Sequence, residues 1–87
     1  MNIEFLKNLS NADGIASNEK EVRQAILAEL EELPYEKQTD GLGSLIFTKK
    51  GKSSKSIMIC GHMDEVGFMV RSISNLGLIH LMVVGGV

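Results

Sequence analysis

Pro34 divides the chain into two parts that differ in hydrophobic periodicity. Before it, apolar residues recur at intervals of three and four, which is the spacing of one helical face. After it, they occur in short runs separated by glycine and polar residues, as is typical of β-strands. Proline has no amide proton and disfavours helix at the residue before it, so a helix that reaches Leu33 ends there. The sequence therefore predicts an α/β chain in which two helices precede about five strands.

Two helices are predicted before the proline. The first covers residues 3–9 in about two turns and ends in the turn-forming residues 11–14. In the second, Asn18 and Glu21 have the spacing of a capping box, which predicts the start of the helix. Apolar residues then follow at helical spacing up to Leu33, where we expect the second helix to end.

Five short runs after the proline are predicted to be strands. These runs are Tyr35–Thr39, Leu45–Lys49, Ser56–Cys60, Gly67–Ser74 and Leu78–Val84. The lysine-rich residues 49–55 and the turn residues 74–77 are predicted as hairpin tips. The third run is apolar on both of its alternating faces, which predicts a central strand covered on both sides in a layered α/β sheet.

The residues that could carry chemistry follow this predicted central strand, where open α/β sheets place their functional groups. His62 offers an imidazole, a common ligand of divalent transition metals, and Asp64 points to the same side of an extended backbone. The pair is predicted to be a metal ligand and the carboxylate that orients it. A histidine that only packs at a strand end is the alternative. Glu65 points to the other side and is a weaker candidate.

Two further residues near this pattern are interpreted as structural. His80 lies within an apolar, strand-like run, and we expect a partly buried or edge histidine there rather than a second ligand. Cys60 adjoins His62 but has no partner histidine in a recognised catalytic arrangement. We therefore expect Cys60 to be a small buried residue rather than a nucleophile or a soft metal ligand.

Composition excludes several classes of protein. A chain of 87 residues is too short for a two-domain enzyme. Nine Lys and Arg against eleven Asp and Glu give a formal charge of −2, which leaves no basic surplus for a nucleic-acid partner. No apolar run approaches the ~20 residues that a membrane-spanning helix needs. With one cysteine and no secretory leader pattern, the sequence predicts a reduced, cytoplasmic protein.

Residues 57–70, preceded by residues 40–45, resemble the start of the tetrahedral, or glutamyl-type, aminopeptidases, which are metallopeptidase family forty-two. The stretch from His62 to Met69 is the specific part, because related di-metal exopeptidases keep only its His-x-Asp. The resemblance extends over essentially the whole chain. Ser44 stands where an asparagine is usual, and residues 14–17 replace a loop rich in proline and glycine.

The resemblance implies a catalytic α/β sandwich that holds two divalent metal ions, zinc or cobalt or else manganese. It makes His62 a metal ligand and Asp64 the catalytic-site carboxylate that orients the His62 ring. The other ligands and the general base would lie beyond residue 87. Residues 1–87 would then be an amino-terminal fragment of the catalytic domain that ends near the start of an inserted β-rich domain. A homo-oligomer, in this family a dodecamer, is also implied.

By this resemblance the full-length protein is a metal-dependent aminopeptidase that removes the first residue of short peptide substrates. Two metals would activate water and polarise the scissile carbonyl, and a glutamate would move the proton. We expect residues 1–87 alone to be inactive. The alternative is a truncated fragment that acts at most as a folding or assembly module. A glycosidase would need a pair of carboxylic acids about 5–10 Å apart, and the sequence singles out no such pair.

Overall fold

The computed structural model describes residues 2–87. In chain order, its elements are helices α1 (Ile3–Asn11) and α2 (Lys20–Glu29), followed by strands β1 (Glu36–Thr39), β2 (Leu45–Thr48), β3 (Gly67–Ile73) and β4 (Ile79–Val84). The strands form two separate antiparallel sheets, β1–β2 and β3–β4. Two helices therefore precede the strands as predicted, with four strands instead of five. No helix in residues 2–87 is both long enough and apolar enough to cross a membrane.

Helix α1 begins at Ile3 as predicted and ends at Asn11, two residues later than predicted. The side-chain oxygen of Asn2, its N-cap residue, accepts a hydrogen bond from the Phe5 amide at 3.1 Å. This bond satisfies one of the amide groups that a helix leaves free at its first turn. The backbone turns to an extended conformation at Ala12, within the predicted turn.

The predicted capping box of α2 is wrong. Glu19 is the N-cap residue, and no side chain forms a capping hydrogen bond there. The Glu21 carboxylate instead accepts a hydrogen bond from the Asp13 amide at 2.9 Å. Because Glu21 is used to hold the preceding loop, it is not paired with the Asn18 amide as a capping box requires.

Helix α2 also ends earlier than predicted, at Glu29 rather than Leu33. The Leu33 amide donates to the Leu30 carbonyl at 3.3 Å, so the chain leaves the helix through a tight turn. If the helix continued, the ring of Pro34 would collide with the Leu30 carbonyl group, which is four residues before it in the chain. The proline therefore stops the helix one turn before itself.

Both hairpins have turns that a polar side chain stabilises. In the turn between β1 and β2, the Asp40 carboxylate accepts from the amides of Leu42 at 3.0 Å and Ser44 at 2.8 Å. Between β3 and β4, the Ser74 hydroxyl accepts from the Leu78 amide at 3.1 Å. Gly77 has a φ of +82°, a conformation that glycine adopts without a steric penalty. The second turn confirms the predicted hairpin at residues 74–77.

The predicted central strand Ser56–Cys60 is absent from the described part of the chain. Its Ile57 and Ile59 side chains are 91% and 93% exposed. A strand needs a neighbour for its backbone amide and carbonyl groups. In residues 2–87 no strand pairs with this segment, since β1 pairs only with β2 and β3 only with β4. Cys60 is consequently exposed rather than buried, and residues 49–55 form a link rather than a hairpin tip.

The core of the described residues is small. Val22 on α2 is the one hydrophobic side chain that is buried, at 7% exposure. It lies against Gly14 in the loop that joins the helices. Helix α1 packs on α2, whereas the β3–β4 hairpin exposes large apolar side chains such as Phe68 and Leu81. The best-packed region is therefore the helix pair and the loop between its members.

Candidate functional site

The segment of residues 61–66 lies beside the loop that joins α1 and α2. Ile15 and Glu65 form an isolated parallel β-bridge. The Glu65 amide donates to the Gly14 carbonyl oxygen at 2.8 Å. The loop and helix α2 thus hold residues 61–66 in place. The residues just before them, 55–60, have no strand partner within residues 2–87.

His62 and Asp64 are brought together as the sequence predicts. The Nδ1 atom of His62 lies 3.0 Å from the main-chain oxygen of Asp64 and 3.2 Å from its Oδ1 atom. Both oxygens are acceptors, so the hydrogen-bonding tautomer carries its proton on Nδ1. The Nε2 lone pair is then free to bind a ligand. The His62 side chain is 86% exposed and that of Asp64 is 44% exposed.

His62 and Asp64 border an open groove of about 620 Å³. Its walls come from both helices, from β2 and from the turn before β2. Most of its lining is apolar: Phe5, Leu9, Ile26, Leu30, Leu42, Leu45, Phe47 and Met63. The imidazole and the carboxylate therefore belong to a largely apolar surface.

Charged groups fix the turn before β2, which lines this groove. The Arg23 guanidinium lies 3.6 Å from the Glu19 carboxylate and donates to the Gly43 carbonyl oxygen at 3.5 Å. In the same turn, the Asp40 carboxylate accepts hydrogen bonds from the Ser44 amide and from the Leu42 amide. These bonds, that of Ser44 most of all, hold the pKa of Asp40 below its usual value. These hydrogen bonds stabilise the ionised carboxylate within the turn.

His80 and Cys60 take no part in the arrangement around His62. His80 lies opposite Ser72 in the β3–β4 ladder and is exposed. This is an edge position, as expected, because β4 pairs only with β3. Cys60 is exposed on the unpaired segment.

Sequence reasoning missed the contact made by Glu65. Its Oε1 atom accepts a hydrogen bond from the Gly14 amide at 3.3 Å, so the side chain faces the loop. Glycine at position 14 is the sequence signal that could have pointed to this contact. A Cβ atom there would lie 2.6 Å from the Val22 Cγ2 atom and 3.3 Å from the Met63 carbonyl oxygen.

The residues present fit one ligand position of a metal site. His62 has an unshared Nε2 atom, and Asp64 holds the opposite ring nitrogen, as carboxylates do beside metal-binding histidines. Within residues 2–87, no group of three or more His, Cys, Asp or Glu side chains could hold an ion. A zinc site takes at least three protein ligands, so His62 and Asp64 do not complete one.

Comparison with known proteins gives a consistent result. The family model for M42 glutamyl aminopeptidases matches residues 43–87. The glutamyl aminopeptidase of Lactococcus lactis is 39% identical over 83 residues, which are 93% of this chain and 23% of the relative.

Two solved structures are also similar. A TET aminopeptidase from the marine sediment archaeon Thaumarchaeota archaeon SCGC AB-539-E09 superimposes with a TM-score of 0.86 at 38% identity, over 97% of this chain and 24% of that one. The TET1 peptidase of Pyrococcus horikoshii can assemble into a tetrahedron or a large octahedral shell. It superimposes with a TM-score of 0.78 at 30% identity, over 98% of this chain and 25% of that one.

These matches confirm both the α/β fold class and the resemblance seen in the sequence. The chain spans about a quarter of the length of the relatives that it matches. The family model covers β2, the His62–Asp64 segment and the β3–β4 hairpin. The chain belongs to the M42 glutamyl aminopeptidase family.

Proposed function

We propose that this chain supplies the His62 end of the active site of a metal-dependent aminopeptidase that removes amino-terminal residues from short peptides. The observation that carries the proposal is the His62–Asp64 pair, in which Nδ1 is engaged and Nε2 is free. The pair lies within residues 43–87, which the family model of glutamyl aminopeptidases matches. This match links the geometry to peptide hydrolysis.

His62 would hold one of two divalent ions, zinc or cobalt or else manganese, through Nε2. A bound divalent ion supplies Lewis acidity, which polarises a peptide carbonyl and makes water easier to deprotonate. Asp64 keeps the ring in the tautomer that binds metal and raises the basicity of Nε2.

The remaining ligands and the general base would come from chain beyond residue 87, since residues 2–87 hold no group of three ligand side chains. In this proposal, residues 1–87 are the amino-terminal part of a catalytic domain and end near an inserted β-rich domain. The same shortage of ligands favours a second candidate function, in which the 87-residue chain by itself is a catalytically incomplete folding or assembly module.

Assembly into a homo-oligomer is part of the proposal. Its support is the similarity to the P. horikoshii peptidase, which forms a tetrahedron or an octahedral shell. A dodecamer is the specific form that we propose. The single exposed Cys60 would stay reduced in the cytoplasm, which is the compartment that we propose for the protein.

The proposal predicts a difference in activity between residues 1–87 and a complete catalytic chain that carries them. With Zn²⁺, Co²⁺ or Mn²⁺, the complete chain should release the chromophore from aminoacyl chromogenic substrates, and a chelator should abolish this turnover. Residues 1–87 should give no turnover, because they lack the other ligands and the base. Chelator-sensitive turnover by residues 1–87 alone would refute this division of the site.

A further inference from the structure

Glu65 is joined to the loop between the helices by two reciprocal hydrogen bonds. Its amide donates to the Gly14 carbonyl oxygen at 2.8 Å, and its Oε1 atom accepts from the Gly14 amide at 3.3 Å. These two residues are 51 positions apart in the sequence. Glu65 therefore ties together two distant parts of the chain.

The contact is also tight sterically. A Cβ atom on Gly14 would lie 2.6 Å from Val22 Cγ2, and one on Gly67 would lie 2.8 Å from Ile15 Cδ1. Real Cβ atoms essentially never approach another atom this closely. The two glycines therefore allow the loop to fit between helix α2 and the segment that carries His62.

The loop is in turn anchored to the first turn of α2. The Asp13 amide donates to the Glu21 carboxylate at 2.9 Å, and the Ser17 amide donates to the Glu19 carboxylate at 2.9 Å. Through these bonds the helix, which contains the one buried hydrophobic side chain of residues 2–87, supports the loop that Glu65 binds.

One peptide group connects this contact to His62. The Asp64 carbonyl, which lies 3.0 Å from His62 Nδ1, and the Glu65 amide, which donates to Gly14, belong to the same peptide unit. That unit is planar and trans, so its carbonyl and its amide point in opposite directions. Fixing the amide on Gly14 therefore fixes the direction of the carbonyl that holds the imidazole.

We propose that Glu65 is a positioning residue, which clamps the Asp64–Glu65 peptide unit to Gly14 and thereby sets the tautomer and orientation of His62. The proposal rests on the proposed role of His62 as a metal ligand. Glu65 contacts neither substrate nor metal in this proposal. The bond from the Glu65 amide to the Gly14 carbonyl oxygen is available to any residue at position 65, so the carboxylate contributes the second bond, which holds Gly14 in place for the first. It acts there as a hydrogen-bond acceptor and not as a charge.

The test compares Glu65→Ala and Glu65→Gln in the complete catalytic chain. Glutamine keeps an oxygen that can accept from the Gly14 amide, whereas alanine has no such oxygen. Glu36→Ala is the matched control, because Glu36 is an exposed glutamate on β1, away from this contact. The first measurement is ¹⁵N NMR of the His62 ring in metal-free protein, and the second is titration of that protein with Zn²⁺.

We expect the wild type, Glu65→Gln and Glu36→Ala to keep the proton of His62 on Nδ1. Glu65→Ala should show a mixture of tautomers and bind Zn²⁺ about 10–100-fold more weakly, as is usual when a group behind a ligand is lost. In the active enzyme, Glu65→Ala should lower kcat and leave KM unchanged.

Two results would overturn the positioning role. One is a Glu65→Ala protein with the wild-type tautomer and metal affinity. The other is a Glu65→Gln protein as impaired as Glu65→Ala, which would mean that the negative charge acts directly. If wild-type protein binds no metal, the proposed function fails, while the NMR comparison still decides whether Glu65 positions His62.

Discussion

At the scale of single residues, Asp64 contacts the His62 ring through both its main chain and its side chain. Replacing it with alanine in the complete catalytic chain removes only the contact at 3.2 Å and leaves the main-chain contact at 3.0 Å. We therefore expect Asp64→Ala to weaken metal binding about 10–100-fold. His62→Ala should cause a larger loss, because it removes the ligand atom itself. Metal titration and turnover measure both effects.

His80→Ala is the matched control for His62→Ala. It removes the same imidazole from an exposed position on β4, opposite Ser72. We expect nearly wild-type metal affinity and turnover from this variant. Equal losses in the His62, Asp64 and His80 variants would contradict the assignment of His62 and would indicate a general effect on folding.

The sequence was sufficient to predict that His62 and Asp64 lie together, because their relation depends only on alternation along two residues of backbone. It failed for Cys60 and Glu65, whose surroundings are set by distant parts of the chain. Cys60 was predicted to be buried from the apolarity of its own segment, but burial needs a neighbour that residues 2–87 do not provide. The Glu65 contact depends on a loop 51 residues earlier.

At the scale of the element, the turn between β1 and β2 should depend on pH through Asp40. Hydrogen bonds, first from the Ser44 amide, lower the pKa of this carboxyl in the folded chain. The stabilisation is therefore fully present above the ordinary carboxyl pKa of the unfolded chain and is lost as pH falls through the lower, folded pKa. An NMR titration of the Asp40 carboxyl carbon in the complete catalytic chain measures the folded value directly.

Asp40→Asn tests the link between this pKa and the turn. The asparagine oxygen can still accept a hydrogen bond, but it has no charge to titrate. We expect the amide shifts of Leu42 and Ser44 to change with acid in the wild type and to stay constant in Asp40→Asn. Identical acid-induced changes in both proteins would show that another group controls the turn.

Elements defined by local signals were predicted well. Helix α1 and the turn at residues 74–77 depend on residues within a few positions of one another. The start of α2 was wrong because Glu21 had a competing partner in Asp13 outside the helix. The strand at Ser56–Cys60 was wrong because apolarity shows that a segment can be buried in a sheet, whereas pairing requires a specific neighbour.

At the scale of the whole molecule, residues 2–87 are far from compact. The radius of gyration is 17.7 Å, against about 12 Å for a compact domain of this length. The accessible surface is 7772 Å², against roughly 5,000 Å² for a folded monomer of 9.5 kDa. Much of this excess is apolar and lies on residues 57–60 and on the β3–β4 hairpin.

We therefore expect residues 1–87 to self-associate rather than persist as a monomer. Exposed apolar strands and unpaired edges favour association, and the small core contributes little against conformational entropy. Analytical ultracentrifugation at micromolar concentration should show oligomers or larger aggregates. A single monomeric species with a cooperative thermal transition would contradict this expectation and would make the chain a self-sufficient domain.

A pair of variants identifies the surface responsible for association. Ile57→Lys with Ile59→Lys places charge on the unpaired segment, where these side chains are 91% and 93% exposed. Ile3→Lys is the control, because Ile3 is also apolar and 65% exposed but lies on α1. We expect the double variant to reduce association more than the control does. Equal effects would mean that association does not depend on residues 57–60.

The bare Ile57–Cys60 segment also has a consequence for the order of events during protein synthesis. None of the four strands in residues 2–87 pairs with it. In the proposed full-length enzyme, its partner would be a strand that is translated later. Ribosomes add about 5–20 residues per second, so each further hundred residues keeps this segment exposed for about 5–20 seconds. Throughout that interval, the exposed apolar side chains would leave a nascent chain carrying these residues prone to aggregation.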